Sequence, residues 1–157
     1  MNMQVPTGVI APPAPKTLAE TGLSAVMMRD ILLKTIFRMN KELVSDIAKI
    51  ICLPVPLTQD LVDQARQQKF LEATGTLHAT SGNEMGYQLT DAGKSRALDA
   101  LSQSEYYGAM PVPLDQYSVQ IKRQSVRDIR LNRDQLLSGM GHLILPPDLI
   151  DNLGPAV

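Results

Sequence analysis

Between Glu20 and Asn40 the apolar residues fall on more than one side of a 3.6-residue repeat. Leu23, Val26, Met27, Ile31, Leu33, Ile36 and Phe37 predict a helix central to its domain, with Thr21 or Ser24 at its start. In "KELVSDIAKIICLP" the spacing narrows to one face. Leu43, Ile47, Ile50 and Ile51 mark a second, amphipathic helix, which Pro54 and Pro56 break. A third follows in "LTQDLVDQARQQKF", with Thr58 as cap and Leu61, Val62 and Ala65 on the buried side. The period then drops to two. Leu77 and Ala79 alternate on one side of a hairpin and Tyr87 and Leu89 on the other, around the turn-forming "SGNEMG". "LTDAGKSRALDALSQ" restores a helix, capped by Thr90, with Ala97, Leu98 and Leu101 inside.

Three helices, a hairpin and a helix are the order of a winged helix-turn-helix domain. The expected fold class is mainly α with a small β-hairpin (α+β), followed by a helical linker. The expected boundaries are a flexible Pro-rich arm at 1–19, the winged-helix domain at 20–107 and a linker at 108–157. In the linker, Leu114, Tyr117 and Ile121 indicate a helix, and "VRDIRL" reads as extended. Asn132 and Gln135 suit a capping box ahead of Leu136, Leu137, Met140, Leu143 and Ile144. At the end, Pro146 and Pro147 open a short helix with Leu149, Ile150 and Leu153 on one face, and Gly154 and Pro155 close it.

Composition narrows the function more by exclusion than by assignment. The 157 residues hold 15 Lys plus Arg against 16 Asp plus Glu, 44% apolar residues, no Trp and a single cysteine. No apolar run approaches the roughly 20 residues that span a bilayer, and "MNMQVPTGVIAPPAPK" lacks the order of a secretion signal. The expectation is a cytoplasmic protein without membrane contact. Met27, Met28 and Met39 read as adaptable filler of a core or interface. Cys52, inside the apolar "IICLP", reads as a buried, inert thiol. His78 and His142 are the two histidines and lie far apart, so no metal-ligand spacing exists. Neither a nucleophile signature nor a phosphate-binding glycine loop occurs, so no catalytic, cofactor-binding or metal-binding residue is assigned.

Two groups of residues remain as candidate contacts. The third helix should present Gln59, Asp60, Asp63, Gln64, Arg66, Gln67 and Gln68 outward. In a DNA-binding winged helix this element enters the major groove, where Gln reads adenine and Arg reads guanine. Residues 20–107, however, carry nine Lys/Arg against eleven Asp/Glu, a net charge of −2, and "SGNEMG" offers no cation to a minor groove. Phosphate neutralisation supplies most non-specific DNA affinity. The balance therefore favours protein contact through Gln59, Asp63, Gln64, Arg66 and Gln67, with a small DNA-binding transcription regulator as the alternative. The second group is Lys122, Arg123, Arg127, Arg130 and Arg133. It is a solvated surface interleaved with Asp128 and Asp134, or an electrostatic contact with a neighbouring subunit or phosphate. On one continuous helix, Arg123, Arg127 and Arg130 would share a face.

Several stretches in sequence carry a family resemblance: "TLAETGLSAVMMRDILLKTI", "YQLTDAGKSRALDAL", "YYGAMPVPLDQY", "QSVRDIRLNRDQLLSGMGHLIL" and "IDNLGPAV". Their order and spacing resemble the amino-terminal region of bacterial AAA+ family ATPases that carry a winged-helix-like domain ahead of the motor. The resemblance implies a fragment, or a frame cut just before its Walker A loop. It implies that "HLILPPDLIDNLGPAV" packs at the entrance to the nucleotide site. It implies ATP and magnesium for the full-length protein, none for this chain, and a ring oligomer formed through the missing motor. No catalytic residue transfers, because the phosphate loop, the magnesium-binding acid and the sensing arginines would lie beyond Val157.

Overall fold

In a computed structural model, the chain is described over residues 13–79, 82–125, 132–144, 146 and 149, the side chains of 79 and 136 excepted. It divides into two compact units, Met1–Gln120 and Ile121–Val157. In the first, a 3-10 turn at Ala19–Thr21 precedes α1 (Ala25–Met39), α2 (Val44–Ile51) and α3 (Val55–Gln67). The antiparallel hairpin β1 (Leu71–Ala79) and β2 (Gly82–Leu89) comes next, then α4 (Asp91–Gln103). Leu43 forms an isolated bridge to Gly86, so the chain between α1 and α2 touches the hairpin as a one-residue third strand. The architecture is a winged helix-turn-helix, α+β and mainly helical. α5 (Leu114–Arg123) follows and runs across the division between the units, and α6 (Arg133–Gly139) belongs to the second.

α1 is the central helix that its pattern predicts. Six consecutive residues, Ile31 to Ile36, are buried, so every side of its middle meets protein. Leu32, Leu33, Ile47, Ile51 and Val62 are essentially inaccessible and tie α1, α2 and α3 together. Each such side chain contributes roughly 2 kcal/mol by leaving water. Met28 belongs to this core, whereas Met27 and Met39 lie exposed.

Helix starts follow local chemistry. Ser24 Oγ accepts from the Met27 N–H at 3.2 Å, and Thr90 Oγ1 accepts from Gly93 at 3.0 Å. Asn132 and Gln135 exchange reciprocal hydrogen bonds of 3.0 and 2.8 Å, the expected capping box, but α6 ends at Gly139 rather than continuing to Ile144. Thr58 is not a cap. α3 begins three residues earlier, with Pro56 in its first turn, and Thr58 is fully buried with its hydroxyl on the Pro54 carbonyl at 3.2 Å.

The hairpin reaches further than its turn-forming composition implies. β2 starts at Gly82, which pairs with Ala79, so Asn83, Glu84, Met85 and Gly86 are strand residues. A bulge between Ala73 and Gly75 shifts the register, and Gly75 supplies φ +117° there. Leu71, Tyr87 and Leu89 enter the core, while Leu77 packs over Gly86.

Residues 108–113, assigned to the linker from sequence, lie against the winged helix. The Gly108 N–H donates to Thr35 Oγ1 at 3.1 Å, and the Met110 N–H donates to the Ile51 carbonyl at 2.8 Å. Met110 is buried. Residues 1–12 of the expected arm, the "VRDIRL" stretch and, apart from 146 and 149, the terminal helix from Pro146 to Leu153 lie outside the described residues.

A candidate interaction face on the third helix

α3 buries Leu57, Thr58, Leu61, Val62 and Ala65. Its polar positions outside the core form two rows at i, i+4, i+7 spacing. One row, Gln59, Asp63 and Arg66, faces the hairpin. The Gln59 amide donates to Asp63 Oδ2 at 3.2 Å and to the Tyr87 hydroxyl at 3.4 Å. Arg66 Nη1 donates to Asp63 Oδ1 at 3.1 Å, and its guanidinium lies 5.4 Å from the centre of the Tyr87 ring. Three of the five residues picked from sequence are thus one network, closed by a tyrosine on β2.

The other row, Asp60, Gln64 and Gln67, faces the chain entering the domain. With Asp63 it lines a shallow groove whose far wall is Lys16, Thr17 and Leu18. The Lys16 N–H donates to Glu20 Oε2 at 2.8 Å, and Leu18 packs on the core. Residues 16–18, expected as part of a mobile arm, therefore flank the helix that would have to enter a groove of DNA. Gln64 also borders the α1 side, beside Ala25, Val26 and Arg29.

The electrostatics of the face follow from these partners. Arg66 is the single cation of α3, against Asp60 and Asp63, and Asp63 already holds it. Residues 71–89 contain no Lys or Arg. Of the acids of the hairpin, Glu72 accepts from Gln88 at 2.8 Å and Glu84 from the Ser45 N–H at 2.8 Å. The surface is mildly acidic and internally bonded.

The second candidate group belongs to the second unit. Lys122 and Arg123 occupy the last, exposed turn of α5. Arg127 and Arg130 lie outside the described residues. Among the described residues no group of three or more His, Cys, Asp or Glu is placed to hold a metal ion, and no helix is long and apolar enough to cross a membrane.

Sequence reasoning missed Tyr87 as a member of the network. Its alternation with Leu89 marked it as a core residue, and it is 5% exposed. Its hydroxyl meets Gln59 and its ring meets Arg66 of α3, and the pattern of a strand says nothing of which helix lies beside it.

Comparison with known proteins adds little. No family model matches the chain, and no curated protein matches it. Among solved structures it is similar to the YusO protein from Bacillus subtilis, with a TM-score of 0.42 and 16% identity over 89% of this chain and 80% of that one.

Proposed function

We propose that this chain is the amino-terminal recognition module of a cytoplasmic, bacterial AAA+ ATPase, and that it contacts protein and couples those contacts to a motor encoded downstream. The AAA+ assignment rests on the resemblance of the five stretches given above. The choice of protein over duplex rests on one observation: Asp63 and Tyr87 hold the single cation of α3. A helix that presents Asp60 and Asp63 to phosphates, beside a hairpin without Lys or Arg, lacks the charge that supplies non-specific DNA affinity. ATP and magnesium belong to the downstream motor in this reading, as does ring assembly.

A gel-shift titration of the chain against mixed-sequence duplex, repeated over a range of salt, tests the contact assignment. The expected result is no retention at physiological salt. Binding that weakens with salt along a slope worth several phosphates overturns it in favour of a winged-helix regulator reading DNA with Gln59, Gln64, Arg66 and Gln67. The motor assignment is tested in the gene itself. A reading frame that continues past Val157 into G-x-x-x-x-G-K-[ST] supports it, and a stop codon there defeats it. Micromolar ATP binding by these 157 residues alone would also defeat it.

A further inference from the structure

β1 is the outer strand of the hairpin. On the far side of β2, Leu43 bridges to Gly86 and the Glu42 carbonyl accepts from the Tyr87 N–H. β1 has no such neighbour. Among the described residues, no main-chain group of 71–79 bonds to anything outside the hairpin. Residues 72–74 and 76–78 are exposed. An open row of N–H and C=O groups is a template for another strand, so edge strands are usually blunted by lysine, proline, a bulge or a covering element. "LEATGTLHA" contains neither Lys nor Pro. It has the bulge between Ala73 and Gly75 and one acid, Glu72.

A shallow groove of about 610 Å³ borders the start of this strand, between Leu71, Glu72 and Ala73 and the Asp63, Arg66 and Gln67 side of α3. Side chains of consecutive strand residues point to opposite faces, so a groove that touches three in a row runs along the edge. Its charge says which chain fits. Arg66 is held by Asp63, and Glu72 is bonded only to the neutral Gln88 amide. Glu72 is therefore the uncompensated charge of the groove, and residues 71–89 supply no Lys or Arg to balance it. A second copy of β1 would bring another Glu72 and no cation. A segment carrying Lys or Arg supplies what the edge lacks.

We propose that β1 is a docking edge, to which a partner protein adds an extended segment bearing Lys or Arg as a third strand of the hairpin. Main-chain hydrogen bonds to β1 hold the segment, and a cation of the segment meets Glu72. The proposal rests on the protein-contact reading of this domain and names the form and charge of what is contacted.

A phage-displayed library of random peptides, panned over the whole chain, tests this. The expected result is enrichment of proline-free peptides with Lys or Arg. A synthetic copy of an enriched peptide should lose binding when alternate amides are N-methylated in one register and keep it in the other, since only every second N–H of an added strand faces its neighbour. Glu72→Lys should weaken binding by about tenfold without changing the far-ultraviolet dichroism, because it turns an attraction into a repulsion. No enrichment, or binding indifferent to the methylated register or to Glu72→Lys, overturns the proposal. So does enrichment of neutral, proline-bearing peptides like residues 1–12 of this chain, or self-association in sedimentation that Glu72→Lys strengthens. A chain that retains neither peptide nor duplex defeats strand addition alone, whereas retention of duplex in the gel-shift titration defeats the protein-contact reading beneath it.

Discussion

Lys34 Nζ donates to the main-chain carbonyl of Ser104 at 3.0 Å, across 70 residues of sequence. Lys34 is buried in the middle of α1, and Ser104 is the residue that ends α4. The last carbonyls of a helix have no partner within it, so this side chain supplies one from outside. Lys34→Met keeps the apolar stem and leaves the carbonyl unpaired, for an expected loss of about 1–3 kcal/mol. Lys34→Ala also leaves a cavity and should lose more. Urea unfolding midpoints of the two variants check the order.

Asp30 joins the same two helices on another side. Arg96 Nε donates to its Oδ1 at 3.1 Å, and Arg29 Nε donates to the same oxygen at 3.1 Å. The hydrogen bond to Asp30 is the largest influence on Arg96 and raises its pKa above the ordinary arginine value. Burial works the other way, and the charges of Asp30 and Asp99 add to the rise. A raised pKa gives stability that is complete below the unfolded-state value and is lost only as the pH climbs through the higher folded value. Both lie far above neutrality. The loss caused by Arg96→Ala, about 1–2 kcal/mol because Arg29 keeps its hold on Asp30, should therefore be flat between about pH 6 and pH 10. A slope in that window, measured by denaturant unfolding, would contradict the assignment.

The junction between hairpin and α4 depends on a missing side chain. A Cβ at Gly93 would run into the carbonyl oxygen of Phe70, and the Leu89 side chain stands 3.1 Å away. The obstacle is backbone and has nowhere to go. Gly93→Ala should cost about 3 kcal/mol, at the upper end of the overpacking range. Thr90→Ala removes the cap and its bond to the Lys69 carbonyl at 2.7 Å, for about 1–2 kcal/mol. Thermal unfolding should place Gly93→Ala below Thr90→Ala, both below the parent chain.

What the sequence discloses here follows the range of the interactions. Ser24, Thr90 and the Asn132–Gln135 pair were legible because a cap is made within four residues. Leu61, Val62 and Ala65 were legible because a helix repeats its buried side. The Gln59–Asp63–Arg66 row was legible as an outward stripe, but its closure by Tyr87 was not. That contact joins residues 28 positions apart, and strand alternation assigns a side without naming a neighbour. Residues 108–113 escaped for a similar reason: single hydrogen bonds to Thr35 and Ile51 hold them, and no periodicity records such bonds. Composition misled at "SGNEMG", where Gly82 and Gly86 read as turn formers. In the hairpin they pair with Ala79 and Gly75, and the space above Gly86 is filled by Leu77 and Thr74.

Cys52 shows how one backbone angle reverses a sound inference. Its neighbours Ile51 and Leu53 are buried, so the "IICLP" environment pointed to a buried thiol. Cys52 ends α2 in the left-handed region, φ +55° and ψ +38°, with its N–H on the Ala48 carbonyl. That turn carries its side chain outward, and the residue is exposed. Two measurements follow. A thiol reagent should label one equivalent in the folded chain without denaturant. Cys52→Gly should be neutral or stabilising by up to about 1 kcal/mol, because glycine relieves the left-handed strain at a helix end where an exposed thiol contributes no packing. A folded chain that resists labelling until it is unfolded, together with a Cys52→Gly variant destabilised as a cavity mutant would be, would return the thiol to the core.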